Sequence, residues 1–192
     1  MTSRHPTRER ILVQALRLFA ERGFRATTVG DIEEAAGLAP RRGSLYKHFP
    51  SKEEVLRAVL ERHAQRMEGM ESVVELMPAE DSEAEFLLLV RAGLAQLHRD
   101  RDLIRLVIRE GDRFPELAAY RERLASLVLR GTAEWIRRQG GDELDAEAVA
   151  AVFLGAIVHW RVDEALYGSA FPGVDEERFV AALAQLWSGL TA

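Results

Sequence analysis

The sequence predicts an all-α fold of about nine helices, from three observations. Apolar residues recur at three- and four-residue spacing along almost the whole chain, the period of a helix with one buried face. Period-two alternation of useful length and Asn-Gly hairpin signals are missing. The stretch from residue 27 to 56, TTVGDIEEAAGLAPRRGSLYKHFPSKEEVL, divides into helix, glycine turn, short helix, turn and longer helix.

The first helix is expected from about Thr7, with Ile11, Leu12, Ala15, Leu16 and Phe19 on one face. Gly23 is its expected stop, because glycine accepts the left-handed backbone there. Thr28 and Asp31 form a capping-box-like start for the second helix, with Ile32, Ala35 and Ala36 inward and Gly37 at its end. The third is expected over about Arg42 to Phe49, pointing Leu45 and Phe49 to the core. Ser51 and Glu54 cap the fourth, whose apolar series Val55, Leu56, Val59, Leu60, His63, Met67, Met70 and Val74 carries it beyond the N-terminal domain.

Pro78 to Ser82 is expected as a loop. A fifth helix follows to about His98, and a sixth from about Asp102 to Arg113, stopped by Pro115. The seventh runs to about Gln139, ending at Gly140 and Gly141. The eighth, from about Asp145, is unusual: between Ala146 and Trp160 only Glu147 and His159 are polar, so most of its sides should be covered. Phe171-Pro172-Gly173 is a turn, and the ninth helix carries Phe179, Val180, Leu183, Leu186, Trp187 and Leu190.

Charge is distributed unevenly. Residues 1–50 carry a net +4 and residues 51–192 a net −9, for −5 in all. A basic piece on an acidic body suggests a polyanion partner for that piece alone, although an excess of Arg on solvated faces would look the same. The chain has no Cys, which excludes disulfides, thiolate metal sites and cysteine nucleophiles. The N-terminal residues lack a signal-peptide h-region, and no apolar run approaches the roughly 18 residues that cross a bilayer. A cytoplasmic location is therefore expected, with no membrane partner.

The short third helix carries the chemistry. Base readout wants short polar side chains where a helix meets base edges, and phosphate contacts at its margins. Gly43 and Ser44 stand at its start, and Tyr46, Lys47 and His48 on the face opposite Leu45 and Phe49. Lys47 and Lys52 are the chain's two lysines, and both fall here. Thr27 and Thr28 open the preceding helix. Taken singly, Tyr46 could be a core aromatic, Ser44 a cap and His48 a surface residue; their conjunction points to a helix-turn-helix whose second helix enters a DNA major groove.

Thr27-Thr28-Val29 through Ala36-Gly37-Leu38, followed by Gly43-Ser44-Leu45-Tyr46-Lys47-His48-Phe49-Pro50-Ser51-Lys52-Glu53, resembles the N-terminal domain of TetR/AcrR-type transcriptional regulators, strongly over about residues 8–60. The resemblance implies a helix-turn-helix DNA-binding domain over 1–52 and a helical effector-binding and dimerisation domain over 53–192. It also implies a homodimer, an operator with two half-sites, and a small ligand that releases DNA. Thr28, Ser44, Tyr46, Lys47, His48 and Lys52 occupy its DNA-contacting positions. The segment Ala39-Pro40-Arg41-Arg42 makes the turn about two residues longer than the commonest family pattern. Either Pro40 starts the helix early, or the turn bulges and offers Arg41 and Arg42 to phosphate.

Two recognition helices one DNA turn apart, about 34–36 Å, need a two-fold partner. The eighth and ninth helices supply apolar surface for it, through Val149, Val152, Phe153, Ala156, Trp160, Leu183, Leu186, Trp187 and Leu190; the eighth helix could equally be a monomer's core. A pocket between the fourth to seventh helices, closed by the eighth, is expected around His63, Met67, Met70, His98, Phe114, Trp135 and His159, residues that also serve as core filler. Such a pocket suits a hydrophobic or aromatic effector. The alternative is a dimeric DNA-binding regulator whose C-terminal domain binds a protein. Gly-rich phosphate loops, G-x-S-x-G and H-E-x-x-H are missing and the histidines lack paired ligand spacing, so neither an enzyme nor a cofactor or metal is expected.

Overall fold

The computed structural model describes residues 5–39, 43–75, 82–140 and 144–191. Among them are eight α-helices: α1 His5–Arg22, α2 Val29–Ala35, α3 Lys52–Glu75, α4 Ser82–Arg99, α5 Arg101–Glu110, α6 Pro115–Gly140, α7 Ala146–Tyr167 and α8 Glu176–Thr191. The short helix expected over Arg42 to Phe49 is instead a single 3-10 turn, Leu45–Lys47. Pro50 disfavours the α conformation just before it, and 3-10 geometry is used for such short pieces. Extended structure among the described residues is limited to an isolated bridge between Phe171 and Val174, where the turn was expected.

Contacts divide the chain into two compact units that do not follow chain order: residues 1–66 with 105–122, and residues 67–104 with 123–192. α3, α5 and α6 each contribute to both units.

In the first unit Ile11, Ala15, Phe19, Ile32, Leu45, Phe49 and Val55 are fully buried. Leu18 joins them, whereas Leu16 is only half-buried. Phe24 packs between Phe19 and Phe114, tilted on one and edge-on to the other, with ring centroids 5.0 and 4.7 Å away. The end of α5 grips the α1–α2 turn. Glu110 accepts the Phe24 amide at 3.1 Å, and Arg109 donates to the carbonyls of Ala20 and Glu21 at 3.4 and 3.0 Å. Gly23 is required at this turn: its φ is +88°, and a Cβ would lie 2.9 Å from Glu110 Oε1.

In the second unit Phe86, Trp135, Phe153 and Trp187 form one aromatic cluster, with Phe86 and Trp187 stacked at 5.2 Å. Glu85 is buried beside it and accepts Trp135 Nε1 and Gln139 Nε2, each at 2.9 Å. Arg161 is buried too. Its Nε donates to Leu94 O at 2.9 Å, and its two terminal nitrogens pair with Glu164 and Glu176. Both ionisable groups are therefore satisfied, as burial demands. One face of α7 (Ala150, Phe153, Ile157, Trp160) is buried, but Ala151, Val152, Gly155 and Val158 are exposed. This helix, expected to be covered on most sides, keeps an apolar face open within a single chain.

Candidate nucleic-acid interface

The α1–α2 turn, α2 and the 3-10 turn build the candidate surface. Thr28 caps α2 reciprocally with Asp31: its amide donates to Asp31 Oδ2 at 2.8 Å, and the Asp31 amide donates to Thr28 Oγ1 at 3.1 Å. The bonds from the Thr28 amide and hydroxyl hold the Asp31 carboxyl below its ordinary pKa, with help from Arg22 and Lys52. Gly37 (φ +70°) turns the chain out of α2.

Gly43, at φ +67°, brings the chain into the recognition turn. Leu45 and Phe49 then anchor in the core, as their spacing predicts. Tyr46 is left 57% exposed, Lys47 is exposed, and Ser44 and His48 are half-buried. Three polar side chains thus lie between two apolar anchors on a single turn, the pattern that base and phosphate contacts need. Arg8 adds a cation at its far end. Its Nη1 donates to His48 O at 3.2 Å, and its guanidinium lies 4.2 Å from the Phe49 ring centroid. Beside it is a shallow groove of about 340 Å³ lined by Arg8, His48, Phe49, Pro50, Glu54, Arg57, Ala58 and Glu61. Arg57 pairs there with Glu54 and Glu116.

Gly43, Ser44, Tyr46, Lys47 and His48 therefore share one short element, while Thr28 stands at the start of α2. Two other expected contacts are turned elsewhere. Thr27 is fully buried, and its hydroxyl donates to the carbonyls of Gly23 and Leu18 at 2.9 and 3.2 Å. Lys52 donates from Nζ to the carbonyls of Phe24 and Thr27, each at 2.7 Å. Arg41 and Arg42 lie outside the described residues.

The residues expected to line an effector pocket are divided between the two units. His63 is buried in the first unit, its Nδ1 2.5 Å from the Tyr120 hydroxyl, and Phe114 packs on Phe24 there. In the second unit Trp135 is core. His98 and His159 are at the surface, 3.6 Å from Glu164 and 3.5 Å from Asp163; the polarity of a helix-surface pair needs no pocket. Met67 is half-buried, and the Met70 side chain lies outside the described residues.

The residues expected at a dimer interface fall into buried and exposed groups. Phe153, Trp160, Leu183 and Trp187 are buried inside one chain, as members of the core that also holds Phe86 of α4 and Trp135 of α6. Val149 and Ala156 pack partly against that core. Val152, Leu186 and Leu190 remain exposed.

Sequence reasoning missed Glu33 and Arg8. Glu33 is buried and accepts the Leu45 amide, a contact between elements that helical spacing does not reveal. Arg8 meets His48 across 40 residues of sequence, a separation that local periodicity does not span.

Among the described residues, no helix is long and apolar enough to cross a membrane, and no group of three or more His, Cys, Asp or Glu side chains could hold a metal ion. Residues 11–59 match the family model of bacterial regulatory proteins of the tetR family. The transcriptional repressor KstR2 of Rhodococcus jostii is 55% identical over 53 residues, 28% of this chain and 25% of that protein. The chain thus spans about a quarter of the length of the KstR2 relatives it matches. The transcriptional activator FasR of Mycolicibacterium smegmatis is 29% identical over 194 aligned positions, covering 98% of this chain and 84% of that one. The structure of Salmonella enterica GusR superposes with a TM-score of 0.70 at 25% identity, covering 100% of this chain and 98% of that one. The matched family and the two relatives are transcriptional regulators rather than enzymes.

Proposed function

We propose that the chain, whose residues 11–59 match the tetR family of bacterial regulatory proteins, binds a two-half-site DNA operator as a homodimer and regulates transcription there. The observation that carries this reading is the recognition turn. Ser44, Tyr46, Lys47 and His48 are presented outward while Leu45 and Phe49 are fixed in the core. Lys47 and the adjoining Arg8 supply positive charge for the phosphate backbone, which dominates affinity and makes it salt-dependent.

The dimer rests on the exposed apolar strips of α7 and α8. Ala151, Val152, Gly155 and Val158 share one, and Ala182, Leu186, Gly189 and Leu190 the other. A large exposed apolar face on a globular chain marks an interaction surface, and two-fold pairing suits an operator with two half-sites.

Repression is the proposed outcome, supported by the repressor names of the KstR2 relatives, which share about half their residues with this chain over 53 positions. Release by a small hydrophobic or aromatic effector belongs to the same proposal and rests on the family resemblance. Capture of a protein by the C-terminal region is the second reading, and the apolar strips favour it only if they are not the dimer interface.

Fluorescence anisotropy with DNA selected from a random pool tests the reading. A recovered inverted repeat, bound with an affinity that falls steeply with salt, supports it; recovery of no sequence at low salt defeats it. A thermal-shift panel separates the effector readings, because a compound that binds the native state raises the melting temperature through linkage.

A further inference from the structure

A helix begins with amide groups that have no carbonyl behind them, and a serine at its start ordinarily accepts one of those protons. Ser44 does not. Its backbone is already helical (φ −64°, ψ −33°) and its side chain makes no capping hydrogen bond. The Leu45 amide instead donates to Glu33 Oε1, 2.9 Å away on α2.

Glu33 is built for that task. It is 1% exposed, so its side chain has little freedom, and its backbone carbonyl accepts the Leu38 amide at 2.8 Å as the chain leaves α2. One residue therefore organises both the exit from α2 and the entry to the recognition turn. At the other end of the turn, Arg8 holds the His48 carbonyl.

We propose that Glu33 is a positioning residue for DNA recognition: it caps the recognition turn from α2 and thereby leaves the Ser44 hydroxyl available to the DNA. This rests on the DNA-binding reading above. A three-residue 3-10 turn cannot hold its own orientation, since so short a helix is not stable by itself. Base readout needs its side chains held to a fraction of an ångström, whereas phosphate contacts tolerate more reorientation and carry no sequence information. A bond from an amide to a carboxylate is about twice as strong as one between neutral groups, and burial protects it from competing water. Loss of the acceptor should therefore erode sequence discrimination more than affinity for DNA in general.

The test uses the full-length protein and three variants, Glu33→Gln, Glu33→Ala and Ser44→Ala. Two quantities are read: amide exchange at Leu45 by NMR, and the ratio of affinities for pool-selected DNA and a scrambled duplex. The Leu45 amide should be protected in the parent protein, in Glu33→Gln, whose amide oxygen still accepts, and in Ser44→Ala. Glu33→Ala should release it and lower the affinity ratio about tenfold, with the salt slope unchanged.

An unprotected Leu45 amide in the parent protein would overturn the proposal. So would a Ser44→Ala variant that releases this amide, or a folded Glu33→Ala variant that keeps the full ratio. If Glu33→Ala does not fold, the parent, Glu33→Gln and Ser44→Ala exchange data still decide it. A parent protein that selects no DNA sinks the DNA-binding reading, while Leu45 protection still judges the cap.

Discussion

The ammonium of Lys52 sits 4.3 Å above the centroid of the Phe24 ring while donating to the Phe24 carbonyl at 2.7 Å. The same nitrogen donates to Thr27 O, so one lysine at the start of α3 ties down both ends of a short turn. Partial burial lowers its pKa from 10.5, although Glu53 and Asp31 pull the other way.

Lys52→Met should therefore act on stability. Losing a charged donor from two carbonyls should cost about 1–3 kcal/mol, read from urea unfolding at neutral pH. The salt slope of DNA binding should stay near that of the parent, because the ammonium is occupied inside the fold; a slope reduced by about 1 would reassign Lys52 to phosphate. The pKa shift adds a sign. Between the lowered folded value and the ordinary 10.5, the unfolded chain binds more protons, so this group's contribution to stability rises with pH across that window. The Met variant should lack that rise.

Asp31 behaves oppositely. Its carboxylate is stabilised chiefly by the Thr28 amide and hydroxyl, so its folded pKa lies below 3.8. That contribution is fully present above the unfolded value and is lost as pH falls through the folded one. Acid unfolding followed by circular dichroism should show a shallower loss of stability in Asp31→Asn than in the parent. Thr28→Ala removes the cap itself and should cost about 0.5–2 kcal/mol at pH 7.

Much of this site is legible from periodicity. Leu45 and Phe49, four apart, declare the inward face of the recognition turn and so the outward one. Thr28 and Asp31 declare a cap by spacing alone, and the reciprocal bonds are present. What periodicity cannot supply is competition between elements. Phe153, Trp160, Leu183 and Trp187 lie on helices with apolar surface to spare, and only the packing of α4 and α6 decides that these four turn inward while Val152 and Leu186 turn out. Lys52 and Glu33 fail for a related reason. A charged residue beside a polar turn reads as solvated until the carbonyl or amide it satisfies is located in space.

Ser44→Ala and Lys47→Ala should leave the fold intact, since both side chains lie on the outward part of the turn. If they meet base edges, selection from a random pool should return altered sequence preferences, with about 1–3 kcal/mol lost at the affected position. A uniform loss across sequences for Lys47→Ala, with the salt slope reduced by about 1, would make Lys47 a phosphate contact instead.

The open strips of α7 and α8 make the dimer testable without disturbing either core. Val152 is 69% exposed and Leu186 60% exposed, so within one chain neither contributes much packing. Replacing either with Arg should leave the helical signal and melting cooperativity of the chain in place, because the charged head remains in water. In a dimer built on these strips, the same head would lose its water against an apolar partner, at a cost of several kcal/mol if unpaired. Val152→Arg and Leu186→Arg should therefore sediment as single chains at concentrations where the parent sediments as two, and their affinity for a two-half-site duplex should collapse toward that for one half-site. Trp187→Ala is the contrasting case. Trp187 is fully buried in the aromatic cluster, so its truncation should cost about 3–5 kcal/mol of the fold, visible as a lowered melting temperature. A parent protein that sediments as one chain at micromolar concentration would remove the dimer from the proposal and leave the strips for a different protein partner.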